Sequence, residues 1–195
     1  MRVWAEIRFQ KFLAAVAIML NRPARAIACW QRVAILRPDD ANVPAIIAHL
    51  TAAAGRREEA RAWLQRSISI DPSRASVWFN LGFLQQEDGQ EEDAIASFDR
   101  ALALDDSLDR AWYGKALSLM RLGRVDDAVP LLKRNTELQP MSPFGWYQLA
   151  HAYHRLGQVE RTAKVIRKLF EFEPQVARQL ERETGIQVQS TPVGP

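Results

Sequence analysis

Residues 78–106 read WFNLGFLQQEDGQEEDAIASFDRALALDD, and the rest of the chain can be read outward from this stretch. Trp78, Leu81, Phe83 and Leu84 sit at helical spacing, Gly89 interrupts, and Ala94, Ile95, Phe98, Ala101 and Leu102 take the spacing up again. The pattern predicts two short helices joined by a tight turn. Glu92 and Asp93 lie just past the turn glycine, where the positive end of a helix dipole favours carboxylates, so the second helix starts there.

Moving this unit by 34 residues finds it again. Gly55, Gly89, Gly123 and Gly157 form one ladder, Ala26, Ala60, Ala94 and Ala128 a second, and Trp78, Trp112 and Trp146 a third. Pro38, Pro72, Pro140 and Pro174 close the units on the same period, with Asp106 at the vacant step. Glu58 and Glu59, like Asp126 and Asp127, repeat the acidic helix start. Five units therefore share one register, and units of this length cannot bury their apolar faces alone; they must stack.

At these residues the chain resembles the tetratricopeptide repeat (TPR) family, whose signature runs Trp-x2-Leu-Gly-x2-Tyr, then Ala-x3-Phe, then Pro, over about 34 residues. The match covers roughly residues 7 to 176. The third unit carries Trp78, Leu81, Gly82, Ala94 and Phe98, and the fifth carries Trp146, Leu149, Ala150, Tyr153 and Pro174. Lys115 departs from the usual leucine, Thr162 departs from the usual alanine, and the first helix of the first unit keeps little of the pattern.

The resemblance implies an all-α superhelical solenoid of about five helix-turn-helix repeats plus a C-terminal capping helix. Its parts are a divergent first hairpin at 1–40, repeats at 41–74, 75–108, 109–142 and 143–174, a capping helix at 175–185 and a flexible tail at 186–195. Trp78, Trp112 and Trp146 are expected to fill the space between helices, beside the small residues Gly82, Ala116 and Ala150. Ser142 is expected to cap a helix that Pro143 opens, and Pro130 to kink its helix or delay its start.

With 48 % hydrophobic and 25 % charged residues among 195, the chain can build a packed core. A net charge of +3 is too small to imply nucleic-acid binding, and one cysteine, Cys29, excludes an intrachain disulfide or a multi-cysteine metal site. The apolar run Phe12 to Leu20, preceded by Arg2, Arg8 and Lys11, imitates a secretory leader. Its shortness, Glu6 before it and Arg22 and Arg25 after it argue against that, so a cytoplasmic chain without stable membrane insertion is expected, with export or membrane association as the alternative. Arginine outnumbers lysine 21 to 5, as in high-GC bacterial sequences.

No catalytic constellation stands out. Cys29 precedes Trp30 on an apolar face with no histidine nearby, no phosphate-binding glycine loop exists, and His151 and His154 share a helix face without a third metal ligand. The reading is non-enzymatic, with no cofactor or metal. In the TPR family the first helices line a concave groove that takes partner segments. Carried over by register, this places Phe79, Asn80 and Phe83, then Arg110, Tyr113 and Arg121, then Phe144, Tyr147, His151 and Arg155 toward the groove.

Phe79, Tyr113 and Tyr147 form an aromatic strip with arginines beside it, which suits an extended or helical protein segment bearing acidic and aromatic residues. Two other readings follow from the same sequence. The apolar first helix, Trp4 to Leu20, could drive self-association into a homo-oligomer or docking to a membrane protein, or the chain could regulate a separate enzyme.

Overall fold

The computed structural model describes residues 2–188. The described chain is all-α and divides after Asp88 into two compact units. The first holds α1 (Arg2–Met19), α2 (Pro23–Leu36), α3 (Asn42–Ala53), α4 (Arg57–Ile70) and α5 (Ala75–Glu87). The second holds α6 (Glu91–Leu104), α7 (Asp109–Arg121), α8 (Val125–Leu138), α9 (Pro143–Arg155), α10 (Val159–Phe170) and α11 (Pro174–Thr184). Within each unit, helices consecutive in the chain pack against one another, and α11 also meets α9.

The turns inside the hairpins explain the glycine ladder. Gly123 has φ +77°, and a Cβ built there would meet nothing within 4 Å, so the requirement is for left-handed backbone rather than for space. Gly55, Gly89 and Gly157 share that conformation. So does Asn21, at φ 52° and 34 residues before Gly55. Asparagine is the residue that best tolerates this region after glycine, so the divergent first hairpin keeps the repeat's turn.

The junctions between hairpins repeat as well. Asp71 accepts from the backbone N–H and hydroxyl of Ser73 at 3.0 and 2.6 Å, and Asp105 does the same with Ser107. The Ser73 donors hold the Asp71 carboxyl below its ordinary value. Trp78, Trp112 and Trp146 each donate Nε1–H to a junction carbonyl six residues earlier, those of Pro72, Asp106 and Pro140, at 2.8 to 2.9 Å. These tryptophans are half-buried. That corrects the expectation that they fill the interior: an indole that must reach a surface turn keeps one edge near solvent.

The interior instead belongs to Leu64 in the first unit and to Phe98, Leu132 and Ile166 in the second, all buried and spaced by 34 residues. Ala60, Ala94, Ala128 and Thr162 stand one turn earlier, fully buried. Thr162 satisfies its hydroxyl on the Gln158 carbonyl at 3.0 Å, so the departure from alanine leaves no orphaned donor. Lys115, the other departure, runs out to Asp99 on α6. Cys29 is buried.

Three local expectations change. Helix α8 begins at Val125 and runs on through Pro130, so its start is not delayed. Ser142 holds the position before α9 with extended backbone but makes no side-chain capping bond. Past Gly185, which takes φ 71° at the end of α11, Ile186 packs on the core of the second unit and Val188 is buried, its N–H donated to Glu181 at 2.8 Å. The expected tail therefore does not begin at 186; its remainder, 189–195, lies outside the described residues.

Candidate functional site

In the second unit, α7 and α9 carry the positions expected to face a groove, and α11 packs beside α9. Along α7, Arg110, Tyr113, Leu117 and Arg121 fall at intervals of three and four and so share one stripe. Along α9, Phe144, Tyr147 and His151 do the same. The tyrosines lace these stripes together. Tyr113 shares a side-chain hydrogen bond with Gln148 of α9, and Tyr147 donates its hydroxyl to Glu183 of α11 at 2.8 Å. The two tyrosines are one repeat apart, and their partners lie 35 and 36 residues beyond them.

Glu183 is the centre of the second link. His151 Nε2 approaches its Oε2 at 3.0 Å, Gln179 donates to its Oε1 at 2.8 Å, and the Tyr147 and His151 rings meet edge to face at 4.6 Å. The Gln179 amide, then the Tyr147 and His151 donors, hold the Glu183 carboxyl below the ordinary glutamate value against the opposing effect of desolvation. Burial pushes the Tyr147 phenol up, and the hydrogen bond and charge of Glu183 push it further. Burial alone raises Tyr113, with Gln148 opposing.

The arginines are deployed differently from the aromatics. Arg121 pairs with Glu91 of α6 at 3.0 Å, and Glu91 leaves its other oxygen buried without a hydrogen-bond partner among the described residues. Arg155 donates to the Met120 carbonyl at the end of α7, at 3.3 Å, where a cation also suits the helix dipole. Both groups thus brace neighbouring helices. Arg110 is exposed, and Phe144 is exposed to 69 %.

In the first unit, α5 carries the three remaining candidates: Phe79 is half-buried, while Asn80 and Phe83 are exposed. Gln179 and Glu183 escaped the sequence reading because they sit on the capping helix, outside the repeat signature. The available signal was arithmetic: one further step of 34 from Gln148 lands at 182, beside Glu183. His154 is exposed, and no group of three or more His, Cys, Asp or Glu side chains able to hold a metal occurs among the described residues. No helix among them is long and apolar enough to cross a membrane.

The family model described as Tetratricopeptide repeat matches residues 13–75, 47–109, 79–143 and 113–173 in overlapping steps. The chain belongs to the tetratricopeptide repeat family. No curated protein matches it. Several solved TPR structures share the fold at low identity. A crystal structure of MamA protein is 18 % identical, covering 89 % of this chain and 94 % of that one with a TM-score of 0.81. YrrB, described as a TPR protein with an unusual peptide-binding site, is 18 % identical over 87 % of this chain and 88 % of its own, at 0.75. PilW, described as a widely conserved type IV pilus biogenesis factor, is 19 % identical over 92 % and 86 %, at 0.72.

Proposed function

We propose that this TPR chain is a non-enzymatic protein-interaction scaffold, and that the α7–α9 surface of its second unit receives a segment of a partner protein. The observation that carries this reading is Phe144. A phenylalanine exposed to 69 % on the stripe that also bears Tyr147 and His151 has no packing role that its exposure would serve, whereas large rigid aromatics anchor interfaces at low ordering cost. The tyrosine links hold the neighbouring stripes in fixed register, so the surface is preorganised. The peptide-binding site named for YrrB, a protein of the same fold, agrees with this use.

Arg110 offers the segment a cation at the α7 end, while Glu183 places a carboxylate at the α11 end. A partner segment with an apolar or aromatic residue over Phe144 and an acidic residue toward Arg110 fits that polarity. A photocrosslinking residue placed at Phe144, with one at Lys133 as control, would identify the segment; calorimetry with that segment would then test the site. Tyr113→Ala and Phe144→Ala should each cost on the order of 1 to 3 kcal/mol of binding while leaving the helical content intact. Full affinity in the double variant would overturn the assignment.

A further inference from the structure

The first hairpin, α1 with α2, concentrates two properties that are sparser in the rest of the chain. Among the described residues, eight of the thirteen exposed large hydrophobic side chains fall between Val3 and Ile35. Over residues 2–37 the chain also carries seven Arg or Lys against a single carboxylate, Glu6, whereas the whole chain has 26 against 23. All seven cations are exposed. Everything beyond residue 37 is therefore net negative.

Helix α1 is apolar on both of its sides. Ile7, Ala14 and Ala17 are buried, and α1 packs on α2. Trp4, Phe12 and Met19, spaced by eight and seven residues, fall on the opposite stripe and are exposed to 66, 63 and 86 %, with Phe9 beside them. Arg8 lies between Trp4 and Phe12 on that stripe, and Arg37 stands over the Trp4 ring at 5.6 Å.

We infer that this face of α1 docks on an anionic lipid surface, the helix lying in the plane of the headgroups with Trp4, Phe9, Phe12 and Met19 at the acyl boundary. A helix that binds in this way needs apolar area and basic charge together, since either alone gives only weak attachment. Tryptophan and phenylalanine suit the interface, and the long stem of Arg8 lets its charge reach the headgroups while its methylenes stay among the apolar side chains.

A second copy of the chain fits the face less well. The 18-residue helix is about 27 Å long and about 10 Å wide, so it offers a partner roughly 300 Å² against the roughly 800 Å² per side of a stable interface. A symmetric contact through this stripe would also bring Arg8 of each copy into the interface, and like charges facing each other weaken association. An anionic bilayer meets both demands without closing a defined area.

Co-sedimentation with vesicles tests this, using phosphatidylcholine alone and phosphatidylcholine with phosphatidylserine. The full chain should pellet with the anionic vesicles, less so at high salt, and stay in solution with the zwitterionic ones. Phe12→Glu should lower that partitioning by about tenfold or more, and Arg8→Gln by about fivefold. Both positions are exposed, so circular dichroism of these variants should match the parent. Phe144→Ala should partition like the parent, which separates this surface from the partner site above. Absence of binding to anionic vesicles, equal binding to both kinds, or indifference to Phe12→Glu would overturn the inference. A lipid-free dimer that Phe12→Glu abolishes in sedimentation velocity would overturn it in favour of a second copy.

Discussion

Phe98 closes directly on Gly114: a Cβ built on Gly114 would lie 2.7 Å from the ring's Cζ and within about van der Waals overlap of its neighbours. Phe98 is fully buried on α6 and Gly114 lies on α7, so the contact sets how near these two helices come. The equivalent positions of neighbouring repeats hold the smaller Leu64, Leu132 and Ile166. The larger ring is accommodated by the missing side chain opposite it.

Gly114→Ala should therefore destabilise the protein by about 1 to 2 kcal/mol, the cost of overpacking exceeding the gain in helix propensity. Urea unfolding would measure it. In a Phe98→Leu background the same substitution should cost nothing or stabilise slightly. An equal penalty in both backgrounds would place the strain elsewhere.

The half-buried tryptophans predict a different ranking from one based on size alone. Phe98→Ala should cost about 3 to 5 kcal/mol, as for a large ring removed from a close-packed interior. Trp112→Phe keeps an aromatic ring and removes only the indole donor that holds the Asp106 carbonyl, so about 1 kcal/mol is expected. A Trp112→Phe variant as unstable as Phe98→Ala would return the tryptophan to the core.

The docking of α11 should be sensitive to acid through Glu183. In the unfolded chain this carboxyl titrates near the ordinary value of about 4.3, and in the folded chain it titrates lower because Gln179, Tyr147 and His151 donate to it. Between those two values the unfolded chain binds more protons, so stability falls as pH drops through the window and is complete above it. Thermal melts from neutral pH downward should show a steeper loss for the parent than for Glu183→Gln. Tyr147 adds the opposite limb: its raised phenol makes stability fall as pH rises past about 10. Parallel acid limbs in parent and variant would remove Glu183 from the linkage.

The sequence by itself determined the all-α repeat and its period, because a turn that needs left-handed backbone admits few residues and so repeats as the same letter: Gly55, Gly89, Gly123, Gly157. It also marked Tyr113 and Tyr147 as equivalent. Tertiary structure alone decided what fills the interior. Leu64, Phe98, Leu132 and Ile166 differ in identity because a core position asks for volume in context, and Phe98 is legible only beside Gly114. It alone decided the arginines' roles too: Arg121 and Arg155 read as groove cations, yet each spends its charge on a group that packing brings to it, Glu91 thirty residues away and the Met120 carbonyl thirty-five residues away. A side chain's type fixes what bonds it can make; which partner comes within reach is set by how the helices stack.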